Sequence, residues 1–112
     1  QYPVMIKDAR LRRGTGTEST IVNHLEKGLF ELSVQLKNSG SESVDTIVVM
    51  KLLVSGKEVS VSALSRKIEP GQETSARAGF LLTDKTKNYS IEINVMDRED
   101  AKTLLAQTIS VR

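Results

Sequence analysis

From Phe30 to Lys37 the chain alternates strictly. Phe30, Leu32, Val34 and Leu36 are apolar, and Glu31, Ser33, Gln35 and Lys37 are polar. Successive strand side chains point to opposite faces, so this stretch predicts a half-buried strand with one wet face. Asn38, Ser39 and Gly40 follow, and Asn and Gly tolerate the backbone angles of a turn. Further strands are predicted along the chain. Val4 and Ile6 share one face and Ala9 and Leu11 the other, so the parity changes near Lys7–Asp8, which predicts a bulge or a sheet switch. Ser55-Gly56-Lys57 reads as a tight hairpin into Val59, Val61 and Ala63. Glu69-Pro70-Gly71 is a turn. Ala76, Ala78, Phe80 and Leu82 line one face of the next strand. Tyr89, Ile91, Ile93 and Val95 line the one after, Asp97–Asp100 turns, and Lys102–Val111 closes the chain. Residues 17–28 stay open. Ile21, Val22 and Leu25 fit one helical face with Gly28 as a stop, but strands on both sides favour a strand or irregular structure.

About seven strands with turn signals at this spacing predict an all-β fold, an immunoglobulin-like antiparallel β-sandwich occupying 1–112 as one domain. The strand from Val44 to Val54 does not fit a sheet with one wet face. If Val48, Met50, Leu52 and Val54 face the core, Ile47, Val49, Lys51 and Leu53 face outward. Three large apolar residues in line on an outer face call for a cover. The cover is either part of the chain, with residues 17–28 as one candidate, or a partner protein or second copy. Ile47, Val49, Lys51 and Leu53 are therefore the candidate protein-contact residues.

Composition narrows the chemistry. The 112 residues hold no Cys and one His, with 16 Lys plus Arg against 14 Asp plus Glu. No disulfide, thiolate nucleophile or thiolate metal site is possible. The two charge signs are interspersed, so no nucleic-acid stripe is expected. Arg10, Arg12 and Arg13 form the one dense cluster, read as a solvated strand end. No apolar run reaches the ~20 residues of a membrane span. The chain begins with Gln1, which suits an excised domain or a processed chain.

The order of turns resembles the CARDB-like modules of bacteria and archaea. The resemblance is carried by V-Q-L-K-N-S-G at Val34–Gly40, S-G-K-E-V at Ser55–Val59, E-P-G-Q at Glu69–Gln72 and Y-S-I-E-I-N-V-M-D at Tyr89–Asp97. It covers about two thirds of the chain, and the lack of Trp departs from the pattern. It implies a non-catalytic contact or spacing module of a surface or envelope protein, outside the cytoplasm.

No residue set calls for an active site. His24 is read as a surface or edge histidine, and Asp97, Glu99 and Asp100 as a solvated acidic turn lacking calcium-loop spacing. Gly14 and Gly16 lack the ending of a phosphate loop, and Asn88-Tyr89-Ser90 is a sequon read as a plain turn. Tyr89, at the start of the penultimate strand, resembles a tyrosine corner or else packs in the core. No enzyme activity, cofactor, metal or small-molecule ligand is expected. The function expected is a structural or protein-binding module of a surface or envelope protein. The alternative is a carbohydrate-binding or accessory module of a secreted enzyme, though sugar platforms need exposed aromatics and only Tyr2, Phe30, Phe80 and Tyr89 are present.

Overall fold

The computed structural model describes residues 3–14, 20–21, 27–83 and 88–111. The strands are β1 (Val4–Arg13), β2 (Thr20–Ile21), β3 (Gly28–Asn38), β4 (Val44–Val54), β5 (Lys57–Ile68), β6 (Glu73–Leu82), β7 (Tyr89–Asp97) and β8 (Thr103–Val111). They form two four-stranded sheets, ordered β2-β1-β3-β6 and β5-β4-β7-β8, with every pairing antiparallel. The chain crosses between sheets after β3, β5 and β6, so neighbours in space are often distant in sequence. This is the expected immunoglobulin-like sandwich.

The alternating pattern places the core between the sheets. Leu32, Val34 and Leu36 of β3, Val48 and Met50 of β4, and Ile93 and Val95 of β7 are fully buried. The parity change in β1 is a register shift between Ile6 and Asp8. It lets Val4 and Leu11 both reach the core although they stand seven positions apart, an odd offset that would otherwise put them on opposite faces. At the β4–β5 hairpin both Ser55 and Gly56 have positive φ, 50° and 83°, the geometry of a two-residue type I′ turn matched to strand twist. At the seam between the sheets, Arg66 of β5 reaches the Ser75 carbonyl of β6 with Nε at 3.1 Å, and Thr46 Oγ1 donates to the Arg66 carbonyl at 2.8 Å.

The Asn38-Ser39-Gly40 turn differs from its expected mechanism. Among the described residues, positive φ occurs at Gly14, Gly28, Ser55, Gly56, Gly71 and Ala101, and not at Asn38 or Gly40. Asn38 is fully buried and works through its side chain: Nδ2 donates to the carbonyls of Glu42 and Ile68, and Oδ1 accepts from the Gly40 amide. Gly40 is required by close approach, because a Cβ there would lie 2.6 Å from Pro3 Cβ. A Gly40→Ala variant must push the Pro3 segment away, with an expected loss of about 1–3 kcal/mol in urea unfolding.

Of residues 17–28, Thr20–Ile21 form a strand beside Arg12–Arg13 of β1, and Gly28 opens β3. Tyr2, His24 and Asp84 lie outside the described residues.

Candidate functional site

Strand β4 alternates cleanly. Thr46, Val48, Met50 and Leu52 are buried, while Ile47, Val49, Lys51 and Leu53 are half-buried on the opposite, outer face of the sheet. The register then adds residues that the sequence pattern did not single out. On β5, Val49 pairs with Ala63 and Lys51 with Val61. On β7, Ile47 pairs with Met96 and Val49 with Asn94. Paired residues share a face, so Ile47, Val49, Leu53, Val61, Ala63 and Met96 form one apolar surface across three strands.

Strand β5 makes the surface larger than expected because its pattern is inverted. Its apolar alternates Val59 and Val61 are 57% and 50% exposed, while Ser60, Ser62, Leu64 and Arg66 point toward the seam. Val59 and Val61 are left exposed, while Leu64 packs against the core and Ile68 is buried in it. Lys51 sits within the patch and reaches Glu58 at 3.5 Å, an exposed pair that adds little stability. Its cross-strand neighbour on β7 is Glu92. The patch thus has an apolar body and a charged strip.

Thr20–Ile21, the described strand within residues 17–28, pairs with β1 in the other sheet, away from this face.

Among the described residues, the remaining candidate sites hold no reactive arrangement. Asp97 Oδ1 accepts from the amides of Glu99 and Asp100, and Asp100 Oδ1 accepts from the Lys102 amide, so these carboxylates cap a turn. Among the described residues no group of three or more His, Cys, Asp or Glu is placed to hold a metal. Tyr89 is buried at the start of β7 and packs with the core, as do Phe30 and Phe80. At one end of the sandwich a cleft of about 470 Å3 is lined by Leu52, Val54, Val59, Ser60, Leu81, Thr83 and Tyr89. Among the described residues it offers hydroxyls but no carboxylate or imidazole. Among the described residues no helix is long and apolar enough to cross a membrane. The arginine cluster is split: Arg10 and Arg12 stand on the outer face of β1, while Arg13 lies over the Phe30 ring at 5.8 Å.

No protein-family model and no curated protein matches the chain. Its fold is similar to β-sandwich regions of solved bacterial glycosidases. In the β-glucuronidase of Bacteroides uniformis the TM-score is 0.73 at 10% identity, over 91% of this chain and 12% of that one. In a putative β-galactosidase of Bacteroides fragilis the TM-score is 0.66 at 15% identity, over 93% of this chain and 16% of that one. The chain therefore spans a small part of these enzymes, and at such identities the likeness is one of fold.

Proposed function

We propose that this chain is a non-catalytic sandwich module of a surface, envelope or secreted protein, and that it works by contact through the outer face of the β5-β4-β7-β8 sheet. The observation that carries this reading is the apolar surface of Ile47, Val49, Leu53, Val61, Ala63 and Met96, presented by three paired strands beside the Lys51–Glu58 pair. The partner we assign is an adjoining domain. Sandwiches of this fold form only a small part of the glycosidase chains they resemble, which supports an accessory place inside a larger assembly. A CARDB-like spacing module is one form of this reading, and an accessory module of a secreted enzyme is the other. Among the described residues the aromatics Phe30, Phe80 and Tyr89 are all in the core, which counts against carbohydrate binding by stacking on them.

The Val49→Lys variant tests the reading. Val49 faces outward between Ala63 and Asn94, so lysine there keeps its charge in water, and the isolated domain is expected to lose less than about 1 kcal/mol in urea unfolding. Association with the adjoining domain, followed by sedimentation velocity or by cleavage between the domains in limited proteolysis, is expected to weaken at least about tenfold. An isolated domain that is monomeric and unfolds on this substitution would place the face in the core instead.

A further inference from the structure

The outer face of the other sheet brings arginines from two strands over one serine. The register aligns Arg10 of β1, Ser33 of β3 and Arg77 of β6 in one row across the sheet. The next row is Arg12, Glu31 and Gly79, and the one on the other side is Asp8, Gln35 and Ser75. Adjacent strands lie about 4.8 Å apart, so the arginines of β1 and Arg77 rise roughly 10 Å from each other with only short side chains between them. The result is a cleft of about 240 Å3 lined by Arg10, Arg12, Arg77, Asp8 and the polar side chains of Ser33, Gln35 and Ser75.

The charges in it are incompletely matched. Arg10 pairs with Asp8. Glu31, 9% exposed, lies beside the cleft in the row of Arg12, and its Oε1 has no hydrogen-bond partner; Arg77 Nη1 stands 3.8 Å away, beyond hydrogen-bond reach. Arg12 Nε is buried and also without a hydrogen bond. Among the described residues three guanidiniums face two carboxylates. A buried donor left unpaired is unfavourable, and a group bringing acceptors to Arg12 and Arg77 would relieve it. Guanidinium forks match planar oxyanions by paired N–H donors. Among the described residues nothing aromatic lines the cleft, so base stacking has no platform there.

We propose that this cleft binds a carboxylate, held between Arg12 and Arg77 above Ser33, with Glu31 as a built-in counter-charge that keeps the binding weak. The site is separate from the apolar face of the opposite sheet and does not depend on its role. The test is a titration of the chain with sodium acetate, followed by backbone amide NMR at ionic strength held constant with chloride. Saturable shifts are expected at Asp8–Arg12, Ser33–Gln35 and Ser75–Arg77. The Arg12→Ala/Arg77→Ala double variant is expected to weaken binding about tenfold, and Glu31→Gln to strengthen it about threefold, an opposite change that a merely misfolded variant would not give. A tetraglutamate peptide that binds about tenfold more tightly than acetate would assign the carboxylate to a protein chain, and equal affinity per carboxylate would assign it to a free acid; both support the site. Shifts that fail to saturate, that chloride alone reproduces, or that Glu31→Gln leaves unchanged would overturn it.

Discussion

Replacing Asn38 by alanine is expected to lower the stability of the domain by about 2–4 kcal/mol, a large part of the 5–15 kcal/mol typical of a domain. The side chain is fully buried and all its polar atoms are engaged. Removing it strips a donor from the Glu42 and Ile68 carbonyls, held at 2.7 and 2.9 Å, and the acceptor from the Gly40 amide at 2.9 Å. The backbone of the same residue joins the next turn, since its N–H donates to the Gln72 carbonyl and its carbonyl accepts from Gly71. Asn38 therefore ties the end of β3 to both the 39–43 loop and the turn between β5 and β6. The measurement is urea unfolding of the purified variant. A loss below about 0.5 kcal/mol would mean that water replaces the side chain at no cost, contrary to this account.

The largest effect is expected from Met50→Lys, which should leave the domain unfolded or close to it. Met50 is fully buried in the middle of β4, paired with Ser62 on one side and Ile93 on the other. A lysine there loses the packing of the thioether. Its ammonium must also be taken out of water without a partner, which costs several kcal/mol even after relaxation. The contrast with Val49→Lys, one residue away on the same strand, is the sharpest available statement of which face is which. Amide NMR dispersion and far-UV circular dichroism of the two variants decide it. Native-like spectra for Met50→Lys would show that the assigned inner face of β4 is wrong.

Much of the fold was legible along the chain because a sandwich writes its inside and outside into a two-residue period. The strand from Phe30 to Lys37, the bulge that was one of two readings near Lys7–Asp8 and the Ser55–Gly56 hairpin all followed from that period and from turn chemistry. The outward row Ile47, Val49, Lys51 and Leu53 was legible for the same reason. Other features depend on pairing between distant segments. Val61, Ala63 and Met96 join that row only through register, and no local signal marks that Val59 and Val61 of β5 are left exposed. Arg77 joins Arg10 and Arg12 only because β3 lies between β1 and β6. Asn38 was misread in mechanism, since a buried asparagine that ties loops and an exposed one that bends the backbone look alike in the one-letter code.

The contact proposed for the outer face of the β5-β4-β7-β8 sheet requires that protein cover it when the module is in its natural assembly. Methionine oxidation footprinting measures this directly. Met96 lies on that face, half-buried and paired with Ile47, while Met5 is 47% exposed on the opposite sheet and serves as an internal reference. The isolated domain and the protein as assembled in the cell are exposed briefly to dilute peroxide, and the two sulfoxide rates are compared. Met96 is expected to oxidise several-fold more slowly in the assembly, with Met5 little changed. Equal slowing at both residues, or no slowing at Met96, would contradict it.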